Sequence, residues 1–420
     1  MSMEISVLRQ VVLDQNPIRL PDNYFHRTAI DQIDRFKKNS QIIVISGIRR
    51  CGKSTLMQTI RSQEKESSYY FNFDDDRLVH FTVEDFQTLY ELFLELFGEQ
   101  SRFYFDEIQN IPDWERFVRR IHDQGHKVYI TGSNATLFSR ELGTRLTGRY
   151  IQIEMYPYSF REYVNHFEPN LVGSNGISTI QKGRVLRLFT EFYEHGGLPE
   201  YIRTRNKESI TFLYEGVIYR DIMQHLDRGN EQAIKEVVYF LASNIGKEFS
   251  YSAIGKLVGI KNSTTISNWT MYLENSYLCF FLSRYNHSLK KQILFNKKCY
   301  FIDIALAKQV GFRPSEDRGR MMENIIFLEL SRRYKEIYFH KEELECDFVI
   351  REEGRISQAI QVTLSLKSEE TKSRELAGLS EAMQLYGLST GLILTEDEEG
   401  MVDHNGGKIQ ILPIWKWLLN

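Results

Sequence analysis

The sequence predicts an α/β protein whose first third is a parallel sheet carrying helices on both faces. Apolar runs at 41–46, 69–73, 102–107, 127–133 and 149–155 have the length and composition of buried strands. Helical stretches such as "KSTLMQTIRS" and "DWERFVRRIHDQ" lie between those runs, and strands separated by helices pair in parallel. At 420 residues the chain exceeds what one core serves, so about two to four domains are expected. An aperiodic stretch with Pro, Gly, Asn and Ser at 165–179 marks a boundary or a loop.

Composition narrows the partners. With 42% apolar and 26% charged residues the chain is globular, and a net charge of −3 predicts neither nucleic acid nor membrane globally. Only local patches are left to bind either. Cys51, Cys279, Cys299 and Cys346 are widely spaced without a metal-ligand pattern, so reduced thiols in a cytoplasmic protein are expected. The N-terminus lacks the form of a signal peptide, and no window approaches the roughly 18 apolar residues of a membrane span.

The chemistry begins where the first strand ends. Gly47-Ile48-Arg49-Arg50-Cys51-Gly52-Lys53-Ser54 matches G-x-x-x-x-G-K-[ST], followed by Thr55 and a helix. Glycines let the loop curl so that its N–H groups face phosphate oxygens, and the helix N-terminus favours their charge. Lys53 then reaches the β- and γ-phosphates and Ser54 ligates Mg²⁺, which makes ATP and Mg²⁺ the expected cofactors. The sheet is accordingly of the P-loop NTPase type.

Two further strand ends belong with this loop. "RFYFDEIQ" puts Asp106 and Glu107 at a strand's C-terminal end, where open α/β sheets bind ligands. Asp106 is expected to hold the Mg²⁺ and its waters, and Glu107 to polarise the attacking water. Two acids solvating a strand end is the plainer alternative. "KVYITGSNATL" ends in Thr131, Ser133 and Asn134, read either as contacts to the γ-phosphate or as a helix cap. Arg145 and Arg149 are candidates for transition-state charge, supplied within the chain or from a neighbour, against the reading of ordinary surface arginines.

In this order "GIRRCGKSTL", "FDEIQNIPDW", "ITGSNATLFSRELGTRLTGRY" and "MYPYSFREY" resemble the bacterial and archaeal AAA+-type ATPases that bear a DUF4143 C-terminal region. The likeness extends through "GGLPEYI" and "DIMQHLD" to the C-terminal residues. It implies ATP binding and a homo-oligomer in which a neighbour's arginine completes the site. "HGGLPEYI" looks like a Gly-x-Pro element that sets Pro199 against the adenine; read from the residues alone it is a helix stop and turn.

Residues 231–300 resemble a winged helix, with Asn262, Ser263, Thr264, Thr265, Ser267 and Asn268 near the start of its recognition helix. Lys261, Lys290, Lys291, Lys297 and Lys298 would then contact DNA phosphates, the last four in or near a wing. Use of the same module for protein contact is the alternative. Glu323, Asp347 and Gln361-Val362-Thr363 look like the skeleton of a PD-(D/E)xK nuclease, with Glu345 on the face of Asp347. Gln361 replaces the second acid and Thr363 the lysine, and Lys367 lies four residues beyond, so a nuclease-like fold without strong cleavage is expected.

The expected order is therefore a P-loop AAA+ core at 1–165, a helical lid at 166–230, a winged-helix domain at 231–304 and a nuclease-like α/β domain at 305–420. The function it suggests is an ATPase that works as a DNA-associated motor or switch. A regulatory switch binding a protein partner is the alternative, and an ATP-gated nuclease a third reading.

Overall fold

β1 Ile42–Gly47, β2 Tyr69–Asn72, β3 Arg102–Asp106, β4 Lys127–Gly132 and β5 Tyr150–Met155 form one parallel sheet in the order β2-β3-β4-β1-β5. They are seen in a computed structural model that describes residues 3–21, 24–64, 66–133, 146–169, 171, 178–226, 228–312 and 317–420. The chain divides into two units, residues 1–156 with Asn275–Tyr277, and residues 157–274 with 278–420.

In the first unit β1 is buried along its whole length, as a central strand covered on both faces must be. Helices Lys53–Gln63, Asp85–Phe97 and Trp114–Asp123 follow β1, β2 and β3, and helix Ile5–Gln15 packs against β2. On one side of the sheet Tyr69, Phe71, Phe86, Phe93, Phe103 and Phe105 pack as a buried aromatic cluster. Truncating one such ring to alanine costs about 3–5 kcal/mol. Because every strand runs the same way, the C-terminal ends of β1, β3 and β4 lie together on one edge.

The second unit begins with helices Phe160–Phe167, Thr179–His195, Pro199–Thr204 and Glu208–Gly216. The turn between the second and third of these is crowded. A side chain on Gly196 would meet the Asp303 carboxylate at 2.3 Å, and one on Gly197 the Tyr158 carbonyl at 2.3 Å. Asp303 accepts from the Gly197 and Ala305 N–H groups at 2.6 and 2.8 Å, and burial pushes its carboxyl up to about 6. The paired glycines thus make a close backbone approach, and Pro199 is the first residue of its helix.

Helices Glu231–Ser243, Tyr251–Leu257 and Ser263–Asn275 come next, with a small antiparallel sheet of β6 Glu248–Phe249, β7 Cys279–Ser283 and β8 Lys297–Phe301, order β6-β8-β7. Between β7 and β8, where an open wing is expected, the chain forms a short helix, Leu289–Leu294. Its Leu, Lys and Gln residues favour helix, and no Gly or Asn-Gly pair sets a hairpin turn.

The rest is a mixed six-stranded sheet, β13-β14-β12-β11-β10-β9, built from β9 Ile337–Lys341, β10 Glu345–Glu352, β11 Arg355–Val362, β12 Thr390–Thr395, β13 Gly400–His404 and β14 Gly407–Pro413. Helices Arg318–Arg333 and Glu369–Tyr386 accompany it. Among the described residues no helix is long and apolar enough to cross a membrane.

Candidate functional site

The phosphate loop joins β1 to its helix by a turn that needs glycine twice. A side chain on Gly47 would stand 2.2 Å from the Met155 carbonyl of β5, and Gly52 has φ +98° just before the helix. Arg50 also adopts a left-handed φ of +61° and points outward, while Ile48 and Cys51 are buried. Arg27 braces the loop from behind, donating to the Cys51 carbonyl at 3.0 Å and the Tyr156 carbonyl at 2.5 Å. Nothing in the sequence near Arg27 signals this role; it arises only when the N-terminal segment folds beneath the loop.

Lys53 is 3% exposed. Its ammonium donates to the Gly47 and Ile48 carbonyls at 3.1 and 3.2 Å and stands 3.4 Å from the Glu107 carboxylate. Burial opposes its charge, yet Glu107, Cys51 and Asp106 hold its pKa above the ordinary lysine value. Ser54 and Thr55 open the helix, Ser54 exposed and Thr55 half-buried. The Ser54 hydroxyl hydrogen-bonds Asp106.

Asp106 and Glu107 are neighbours in different environments. Asp106 is fully buried and accepts from the Thr131 hydroxyl and from the Tyr70 hydroxyl, the latter at 3.1 Å. Burial first, then the charge of Glu107, raises its carboxyl against those hydrogen bonds. Burial also works to raise Glu107, but Lys53, Gln109 and Arg49 outweigh it and hold that carboxyl below the usual range. Glu107 has a left-handed φ of +49° and donates its N–H to the Thr131 hydroxyl at 2.9 Å.

Thr131, grouped in the sequence with possible γ-phosphate contacts, instead fixes both acids. Tyr70 is a site residue that sequence reasoning missed, because an aromatic on a strand reads as core. Ser133 is buried one residue beyond the Ser46–Gly132 pair of β1 and β4, level with Gly47. Behind the loop, Ser46 accepts from the Tyr277 hydroxyl at 2.8 Å and from Gln152 at 2.9 Å.

A cleft of about 520 Å³ opens on the Ser54–Asp106 side, lined also by Thr55, Gln58, Tyr70 and Asn72. The donor set fits a magnesium nucleotide. A hydroxyl and a carboxylate already share a hydrogen bond beside an open cleft, and one ammonium waits on loop carbonyls.

Arg149 is not brought to this site within one chain. Arg149 precedes β5 at the end opposite the loop, pairs with Asp123 at 3.4 Å, and lies roughly 20 Å along the strand from Met155. Its expected role within a single chain is therefore corrected, because the parallel register carries it to the far edge. Arg145 and Asn134 lie outside the described residues.

The second unit corrects the basic run. Of the lysines expected on DNA, Lys298 is buried, and its ammonium stands 3.3 Å from Glu323, 2.8 Å from Glu345 and 3.4 Å from Asp347. Lys297 is half-buried and donates to the Ser283 hydroxyl at 2.9 Å. β8 is the middle strand of its sheet, and four of its five residues, Lys298 among them, are buried. Lys290, Lys291 and Lys261 are exposed.

Glu323, Asp347 and Gln361 do meet, and Gln361 accepts from the Asp347 N–H at 3.1 Å. Tyr300 donates to Glu323 at 2.6 Å. Thr363 is buried, and Lys367 is exposed with Asp397 at 4.0 Å. The lysine at the acids thus comes from β8, not from β11 or the residues after it. Among the described residues no group of three or more His, Cys, Asp or Glu is arranged to hold a metal ion.

Comparison with known proteins agrees with the first site. Residues 39–164 match the AAA_14 family, described as an AAA domain, so an N-terminal AAA-type P-loop ATPase domain is present. Residues 186–316 match a domain of unknown function, DUF8612. This corrects the DUF4143 expectation. "GGLPEYI", which carried that likeness through this region, is a helix stop, and residues 221–225 of "DIMQHLD" are irregular helical turns, signals too local to separate families.

Among solved structures, the STAND protein PH0952 of Pyrococcus horikoshii, which has a tetratricopeptide repeat sensor, aligns over 74% of this chain, with 13% identity and a TM-score of 0.27. This chain spans 46% of that protein's length. The RuvB Holliday junction branch migration motor of Thermotoga maritima aligns over 65% of this chain and 93% of its own, with 14% identity and a TM-score of 0.31. Neither score bears on architecture. Uncharacterized protein MJ1544 of Methanocaldococcus jannaschii is 33% identical over 400 residues, covering 90% of this chain and 88% of its own. By that identity and coverage the chain belongs to the MJ1544 family, and it carries its AAA-type ATPase domain at the N-terminal end.

Proposed function

We propose that the protein is a Mg²⁺-dependent ATP hydrolase that acts as a DNA-associated switch or motor. The observation that carries the hydrolase reading is the meeting of Lys53, Ser54, Asp106 and Glu107 at one sheet edge. In this reading the Gly47–Gly52 backbone and Lys53 bind the phosphates, while Ser54 and Asp106 hold Mg²⁺, which neutralises charge on the phosphate oxygens. Glu107 accepts a proton from the attacking water once Lys53 has exchanged its carboxylate for a phosphate. Ser133, level with Gly47, contacts the γ-phosphate side.

An arginine from a second copy, Arg149 or Arg145, supplies the remaining charge, which makes the working form a homo-oligomer. Pro199 sits against the adenine as the first residue of its helix. The four-part division into ATPase core, lid, winged helix and nuclease-like domain belongs to the same reading. So does a cytoplasmic location, supported by four free and buried cysteines.

DNA is the proposed partner. Support comes from Lys261, Asn262, Ser263, Thr264 and Asn268, all exposed at the start of one helix, and from exposed Lys290 and Lys291. The nuclease-like domain serves as a binding module, because Lys298 already neutralises its acids. A protein partner is a second reading with its own observation. Leu289, Ile293 and Leu294 are each more than 70% exposed on a helix that buries no side chain.

The test is ATP turnover with and without duplex DNA across a salt series. Wild-type protein should hydrolyse ATP faster with DNA at low salt, and Glu107→Gln should bind ATP normally while turning over at least about 100-fold more slowly. Normal turnover in Glu107→Gln would remove the assigned base. DNA-independent turnover, together with one protein captured by Glu107→Gln, would favour the protein-partner reading.

A further inference from the structure

Glu107 does not stand alone. Gln109 lies two residues on, in the short turn Ile108–Asn110, and donates from Nε2 to the Glu107 carboxylate at 2.5 Å. The carboxylate only accepts, so the amide nitrogen must face it and the amide oxygen must face away. That oxygen, Oε1, is buried and has no hydrogen-bond partner among the described residues. The turn is held firmly: Ile108 and Ile111 are in the core, the Asn110 N–H donates to the Glu107 carbonyl at 3.2 Å, and the Ile111 N–H to that of Ile108 at 3.1 Å. A rigid, buried acceptor without a donor is rare in a folded protein and points to a missing polar partner.

We propose that Gln109 is a positioning residue for hydrolysis: its Nε2 fixes the Glu107 carboxylate and its Oε1 accepts a hydrogen bond from the water that Glu107 polarises. This deepens the hydrolase reading and rests on it. The water oxygen forms the new bond to the γ-phosphorus as the bond to the bridging oxygen breaks. ADP leaves with that electron pair, and the water's proton passes to Glu107. Two acceptors on one water, the carboxylate and the amide oxygen, leave its lone pair directed away from both. Lys53 is another partner of the carboxylate, so Gln109 keeps a hydrogen bond on Glu107 once a phosphate has drawn the ammonium away.

Two substitutions separate the parts of this role. Gln109→Met removes donor and acceptor at similar volume, and Gln109→Glu keeps an acceptor but sets a second negative charge against Glu107. Both should bind ATP within about threefold of wild type, while kcat falls about 10- to 100-fold. Both should also shift the acidic limb of the pH–kcat profile to higher pH, Gln109→Glu further, because Glu107 loses a donor to its charged form. A merely structural glutamine would leave that limb in place. Wild-type kcat and an unmoved acidic limb in Gln109→Met would overturn the proposal. Failure of the underlying reading looks different: the wild type itself would show no turnover, and the proposal would fall with it.

Discussion

The two units each bury a lysine among carboxylates, and the two lysines are held in opposite ways. Lys53 rests on two backbone carbonyls and one carboxylate beside an open cleft. Lys298 is enclosed by three carboxylates, with a tyrosine completing the set on Glu323. The first ammonium can exchange weak partners for a phosphate and gain. The second has little to gain from leaving, since it would strip the counter-charge from the buried Glu323 and Asp347. A buried lysine therefore says little about function until its partners are counted and their replaceability judged.

That contrast can be broken most directly by replacing each lysine with methionine. Lys298→Met should destabilise the protein by about 3–5 kcal/mol, seen as a large loss in denaturant midpoint, because three acids lose their common counter-charge. Lys53→Met should cost clearly less, because Glu107 keeps its Gln109 hydrogen bond, and should abolish ATP binding by calorimetry. Equal stability losses would show that the two sites do not differ in kind.

A smaller effect follows from Glu323, whose carboxyl burial pushes up to about 7 despite the opposing charge of Lys298. The folded state holds this proton more tightly than the unfolded chain, whose value is near 4.5. Stability from this group is thus complete at low pH and lost as pH rises through the window from about 4.5 to 7, by at most about 3 kcal/mol. Glu323→Gln should lose that dependence, so its stability relative to wild type should be greater at pH 8 than at pH 5. Denaturant unfolding at the two pH values measures it.

Smallest is Arg27→Ala, which leaves the Cys51 and Tyr156 carbonyls without this donor. A loss of about 1–3 kcal/mol and roughly tenfold weaker ATP binding are expected. Unchanged affinity would show that the loop holds its shape unaided.

Much of the first site was legible in the chain because its signals are local. Gly47 and Gly52 sit in a turn that only glycine tolerates, and the following helix begins where the motif requires. The strands at 42–47 and 102–106 read correctly from apolar runs, since burial on both faces demands them. Glu345 and Asp347 shared a face as alternation dictates.

What tertiary structure decided is who meets whom. Lys298 reads as a wing cation in its own segment and becomes a counter-ion only when β8 packs beside residues 25 to 49 positions away. Arg149 reads as a candidate transition-state charge close to the sheet, yet parallel register sends it to the edge opposite the loop. Arg27 and Tyr70 carry no motif at all and acquire their partners across long sequence separations. Local periodicity encodes which face of an element is buried. It does not encode which distant element supplies the charge or hydrogen bond that burial then requires.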